Sequence, residues 1–284
     1  NGKVAAARAE KQAMLAKVYA EKEVQDYDKV IAYADKVMNT TGVELEDSYE
    51  TLWGYDETAK DCMKRNTKEG ILEVHWTTGS GNWETWMYGR QLDNWDYNFT
   101  WAKWITPSRD IINDFDKEGD EVRKNQAIVY YACTWSNYYP ASNYPFMYKL
   151  RSSYNNIYWV RLADIILMKA EAEAYKGNLA ESAKLVNQIR KRAKLKELTS
   201  DKTGSKESMI EAVLHERRLE LAFEGERWFD LCRNNKVEQY LNGIDNRDSG
   251  RIRQVRQFDG NSYLLPIPQT ALDQNTNLEQ NPGY

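Results

Sequence analysis

Cysteine is scarce in this chain of 284 residues, and its three cysteines, Cys62, Cys133 and Cys232, are far apart and form no CxxC pair. That arrangement offers neither a disulfide framework nor a zinc site, so they read as buried or incidental thiols. Basic excess is also missing. With 39 Lys and Arg against 43 Asp and Glu, the formal charge is −4, and nothing supplies the clustered cations that a phosphate backbone demands. No apolar run approaches the roughly 20 residues needed to cross a bilayer. The opening Asn1-Gly2-Lys3-Val4 lacks the apolar stretch of a secretory signal, so a soluble piece of a longer chain is expected. Histidine is limited to His75 and His215, far apart and without metal partners nearby in sequence, and both are expected to serve on the surface or in packing.

Phenylalanine is sparse as well, and here the balance turns to what is abundant. Against six Phe stand ten Trp and nineteen Tyr, rings with a flat face and a polar edge that suit wet contacts better than a dry core. Eight of the ten tryptophans fall between Trp76 and Trp159.

The helical signal sits on either side of that region. Met14, Leu15, Val18 and Tyr19, then Val30, Ile31, Ala34 and Val37, mark two amphipathic helices joined near Gln25 and Asp26 within residues 5–38. The pattern returns within residues 158–192, chiefly from Ile165 to Arg192, with a turn at Gly177-Asn178. An ungapped offset of 152 residues superimposes the two. Small residues such as Ala13, Ala16, Ala20, Ala170, Ala172 and Ala183 permit close helix crossings, the logic of tetratricopeptide-like hairpins that stack to bury their apolar faces.

A third helix is expected from Glu207 to Asn234, with Gly225 as a kink or break. Its Arg217 and Glu220, Glu224 and Arg227, and Asp230 and Arg233 lie three apart, close enough to bridge along one face. These charges read as a structural clamp, because carboxylates paired with arginine make poor general acids.

Between Leu45 and Tyr158 helical periodicity weakens. Gly70 to Trp76 alternates like a strand, and Gly79-Ser80-Gly81-Asn82 reads as a turn or loop. A long irregular excursion is where binding elements are expected. Trp83, Trp86, Tyr88, Arg90, Asp93, Asn94, Trp95 and Trp101 interleave rings with planar polar groups, which makes them the candidate ligand-binding residues. Asp114 to Asn125 faintly resembles a calcium loop with Gly119 sixth, but Asn125 stands where a bidentate glutamate is required, and a plain turn ahead of Arg123 is the simpler reading. No metal, cofactor or catalytic residue is expected.

Four segments together resemble the SusD/RagB family. They are Tyr158-Trp159-Val160-Arg161-Leu162-Ala163-Asp164 through Ala172; Val186-Asn187-Gln188-Ile189-Arg190-Lys191-Arg192-Ala193; Glu216 through Glu220-Leu221-Ala222-Phe223-Glu224-Gly225 to Arg227-Trp228-Phe229-Asp230-Leu231; and Leu265-Pro266-Ile267-Pro268 with the ending Asn281-Pro282-Gly283-Tyr284. They occur in the family's order, and the residues before Tyr19 are similar to its mid-chain helix.

The resemblance implies an all-α fold of tetratricopeptide-like hairpins with a long aromatic-rich excursion and few short strands. Residues 1–45 would be a hairpin, 46–157 the glycan-binding excursion and 158–284 the signature region, together forming the carboxy-terminal part of a longer domain. It also implies a non-enzymatic nutrient receptor on the bacterial outer-membrane surface, lipid-anchored through an amino-terminal cysteine outside this chain. Such a receptor passes oligosaccharide or polysaccharide to a TonB-dependent, SusC-like transporter, with the absent amino-terminal half contributing to the site. Two other functions remain open from the residues: an all-α glycoside hydrolase using carboxylates such as Glu84, Asp93 and Asp96, and a helical-repeat module that binds protein.

Overall fold

Alanines at helical spacing decide how the first two helices meet. In the computed structural model of the chain, residues 2–56, 58, 61–76, 106–135, 138–149, 151, 156–250 and 257–284 are described. Gly2–Ala20 runs antiparallel to Tyr27–Met38, and Ala9, Ala13, Ala16 and Ala20 form one buried stripe, with Val30, Ala34 and Val37 buried on the second helix. Between them, the Asp26 carboxylate caps the second helix by accepting from the Lys29 backbone N–H at 3.0 Å.

The second hairpin pairs Leu162–Lys176 with Leu179–Arg192. Gly177 closes the first of these at φ +85°, where an L side chain is strained, and its N–H returns to the Ala174 carbonyl at 3.0 Å. The second helices of the two hairpins start at Tyr27 and Leu179, in the 152-residue register of the sequence repeat. The hairpins stack through Tyr27–Met38 against Leu162–Lys176, and Lys206–Glu220 extends the layer on the far side. One continuous core results, from Ala13 and Val37 through Ile165, Ile166 and Leu167 to Ile189 and Val213.

Four expectations change. Residues 157–161 are a strand before they are a helix: Ile157–Arg161 pairs antiparallel with Gly70–Val74, from Gly70 opposite Arg161 to Val74 opposite Ile157. The helix expected from Glu207 to Asn234 is two, Lys206–Glu220 and Arg227–Arg233, because Phe223 at φ +65° and Gly225 at φ +87° reverse the chain between them. That break removes the common face on which Glu224 and Arg227 were expected to bridge, whereas Arg217 and Glu220 share the first helix and pair instead with Asp164 and Asp230 and with Arg161, Arg192 and Arg123. Only Asp230 and Arg233 keep their predicted pairing, at 2.7 Å.

The calcium-like stretch is likewise no loop. Asp114 and Asp116 lie within the helix Arg109–Glu118, Gly119 ends it in the left-handed region, and Glu121–Ala127 follows. Within 46–157, the described residues also form the short helix Tyr49–Trp53 and a strand pair, Ile128–Tyr131 with Tyr144–Met147, so this region is more regular than its weak periodicity implied.

Cys62, Cys133 and Cys232 are separate, partly buried thiols. Among the described residues, no helix is long and apolar enough to cross a membrane.

Candidate functional site

Burying a charge is costly unless a partner is buried with it, and the signature segments bury many. Arg161, at the end of its strand, is 1% exposed. Its guanidinium donates to Glu69 at 2.8 Å, Glu220 at 2.6 Å and both oxygens of Glu224 at 2.7 and 2.8 Å. Arg192 reaches Glu69 and Glu220 from the second hairpin. Arg123 reaches Glu216 at 2.6 Å and Glu220 at 3.2 Å from within the 46–157 region, and Arg190 takes the other oxygen of Glu216 at 3.0 Å.

A second cluster lies alongside. Arg217 grips Asp164 at 2.7 Å and Asp230 at 2.9 Å, Lys17 joins Asp164 to Glu226 at 2.8 Å each, and Arg233 holds Glu171 through two bonds. These residues tie both hairpins, the third helix and the 46–157 region into one frame. The conspicuous charges of the sequence are therefore scaffold.

Their titration follows from this pairing. Burial pushes the Glu220 carboxyl up, but Arg192, Arg161 and Arg123 together outweigh it and hold the group well below the usual range. Asp164, opposed by burial but faced by Lys17 and Arg217, and Asp230, faced by Arg217 and Arg233, are also lowered. Glu118, bonded to His215 and paired with Arg190, falls to about 2. Burial raises Asp120 and Glu226 instead.

A carboxylate lowered in the folded state contributes stability above its unfolded value and loses it as pH falls through the folded one. A raised one acts in reverse. Since the most deeply paired groups are lowered, urea midpoints should fall steeply from about pH 4.5 to about pH 2. A midpoint constant over that window would contradict the arrangement.

Above this frame opens a cleft of about 680 Å³, lined by Met14, Lys17, Trp53, Leu72, Lys149, Asn156, Trp159, Glu226 and Phe229 among others. Trp159 lies 63% exposed and Phe229 56%, while Trp53 is buried edge-on to Tyr158 with ring centroids 5.1 Å apart. Lys149 lies beneath, 2.5 Å from Glu224 and 4.9 Å from the Trp53 ring centroid. Burial lowers its ammonium to about 8 even against the pull of Glu224.

The cleft's acids are already engaged by cations, which leaves ring faces as its open surface. Trp159 and Phe229 were not among the predicted site residues. In the strand, alternation buries Tyr158 and Val160 and turns Trp159 outward. The predicted site residues Trp83, Trp86, Tyr88, Arg90, Asp93, Asn94, Trp95 and Trp101, with Glu84 and Asp96, lie outside the described residues.

His75 contacts Glu73 at 3.0 Å and His215 contacts Glu118 at 3.2 Å. Among the described residues, no group of three His, Cys, Asp or Glu side chains is placed to hold a metal.

Comparison with known proteins accords with this frame. The model of the SusD family matches residues 142–284, the part that supplies most of the buried charges. SusD-like protein P38 of Formosa agariphila is 36% identical over 135 residues, covering 45% of this chain and 25% of that protein. Among solved structures, a SusD homolog from Bacteroides thetaiotaomicron gives a TM-score of 0.73 at 19% identity, over 99% of this chain and 64% of the other. A laminarin-binding SusD-like protein gives 0.67 at 23% identity, over 97% and 62%. The match thus spans about a quarter of the curated relative and under two thirds of the solved chains.

Proposed function

We propose, from the premise that this chain belongs to the SusD family, that it binds oligosaccharide or polysaccharide as a non-enzymatic receptor at the bacterial outer-membrane surface. The observation that carries this reading is the division of labour in the chain. The signature carboxylates are locked to arginine and lysine as scaffold, whereas the rings are concentrated between Trp76 and Trp159, with Trp159 bare at an open cleft. Aromatic faces match the C–H face of a pyranose, and planar amides, carboxylates and guanidinium groups match its hydroxyls.

In this reading Trp83, Trp86, Trp95 and Trp101 provide stacking surfaces, and Tyr88, Arg90, Asp93 and Asn94 provide polar contacts. Residues 46–157 act as the ligand-binding excursion between the hairpin of 1–45 and the signature region of 158–284. An amino-terminal half outside this chain completes the site and bears the lipidated cysteine. The bound glycan passes to a TonB-dependent, SusC-like transporter. The laminarin-binding protein of the same fold supports a glucan among the first ligands to try.

Calorimetric titration with laminarin, starch and xylan oligosaccharides, with and without the amino-terminal half, tests the reading. At least one glycan should give saturable binding with no release of reducing ends. Product that accumulates through repurification, and is lost with a single carboxylate substitution, would replace the receptor with a hydrolase. Binding confined to peptides would replace it with a protein-binding module.

A further inference from the structure

The break after Glu220 leaves one arginine without the acid that the sequence offered it. Glu224, three residues before Arg227, turns away to Lys149 and Arg161. Arg227 instead donates to the Leu214 carbonyl at 3.1 Å and covers the Tyr240 ring, its guanidinium carbon 4.6 Å from the centroid. Among the described residues, no carboxylate pairs with it and no further hydrogen bond is made by its guanidinium, although the group has five N–H donors.

Arg227 lines a cavity of about 400 Å³, within the range of small-molecule sites, roughly 300–1,000 Å³. The wall contains three arginines, Arg217, Arg218 and Arg227, and two acids, Asp110 and Asp230. Both acids are taken by other arginines. Asp110 accepts from Arg218 at 2.8 Å and from Arg247 at 3.1 Å, and Asp230 accepts from Arg217 and Arg233. Arg218 is held by Asp114 as well and Arg217 by Asp164, which leaves Arg227 as the arginine of this wall with no carboxylate partner among the described residues, beside the aromatic walls of Trp228 and Tyr240. Burial and then the neighbouring Arg218 hold Arg227 down to about 10, against the pull of Asp230, Tyr240 and Asp114. An incoming anion would relieve both effects.

We propose that this cavity binds a singly charged oxyanion carried on a sugar, a carboxylate or a sulfate half-ester, with Arg227 as its counter-charge and Trp228 and Tyr240 beside the ring. The planar guanidinium matches either oxyanion through paired N–H donors. The sugar portion rests on the glycan-binding reading above. The anion portion rests on Arg227 alone.

The test is calorimetry or NMR titration at low ionic strength with glucuronate, glucose 6-sulfate, glucose, methyl glucuronate ester and inorganic sulfate. Glucuronate or glucose 6-sulfate should bind at least tenfold more tightly than glucose, and which of them does so identifies the oxyanion. The uncharged ester should behave like glucose, a comparison that needs no variant. Arg227→Gln should abolish the preference and Arg227→Lys should keep part of it, with thermal melts confirming that both variants fold.

The proposal is overturned if the parent shows no preference for charge, or if Arg227→Gln retains it. Inorganic sulfate binding as tightly as glucose 6-sulfate would overturn the sugar portion. Loss of neutral-glycan binding in the parent would instead count against the glycan reading itself.

Discussion

Replacing Glu220 with alanine is expected to destabilise the fold by about 3–5 kcal/mol, the scale for removing one partner of a buried charge pair. Its two oxygens receive Arg161, Arg192 and Arg123, all nearly inaccessible to water. Deletion leaves three guanidinium groups facing each other with only Glu69, Glu216, Glu224 and Asp120 to share. Guanidinium denaturation of the parent and variant measures the loss. The internal comparison is Glu181→Ala, which removes the exposed partner of Lys184 at 3.1 Å and should change stability by less than about 0.5 kcal/mol. Equal losses at the two positions would mean that the buried cluster is not the frame described above.

The largest effect on affinity is expected from Trp83→Ala, Trp86→Ala or Trp95→Ala. Loss of one stacking ring should cost on the order of 1–3 kcal/mol, by analogy with bases stacked on aromatic side chains. For a receptor of modest affinity, that removes detectable binding. Trp159→Ala is the informative companion, because its exposed ring lies over the cleft rather than in the 83–101 stretch. Calorimetry with a responsive glycan, supported by thermal melts, separates the outcomes. If the variants at Trp83, Trp86 and Trp95 bind like the parent and Trp159→Ala does not, the cleft is the site. If all four bind like the parent, this chain's aromatic surface is not where the ligand sits.

How far the sequence could be read depended on the range of the interaction. Ala13, Ala16 and Ala20 repeat along one helix, so the crossing they permit is local and visible, and the 152-residue offset carried it to the second hairpin. The pairing of Arg161 with Glu69 spans 92 residues and that of Arg123 with Glu216 spans 93. No local spacing encodes either partner. The pairing of Glu224 with Arg227 was expected along one helix; Gly225 marked a kink or break, but Phe223, a residue that rarely takes positive φ, gave no sign of the reversal there, and Arg217 and Glu220, though on one helix, take distant partners instead. Trp159 was legible as the outward residue of a strand only once Ile157–Arg161 was seen to be a strand at all. For the site, composition alone pointed to residues 83–101, and it points to a chemistry without ordering the side chains.

The pairing of Val74 with Ile157 has a topological consequence. The strand pair brings the two ends of this circuit together, and within it Arg123, Glu118 and the cluster of Ile111, Phe115, Ala127 and Ile128 against Leu219 and Ala222 moor residues 109–128 to the helical frame. Closing a flexible loop costs free energy that grows only with the logarithm of its length, about 0.6 kcal/mol per doubling. Insertions and deletions between Trp76 and Thr106 would therefore burden the frame very little. If residues 83–101 hold the ligand as proposed, its preference can be rewritten there by changes in length as readily as by changes in residue, while the helices and their charges stay fixed.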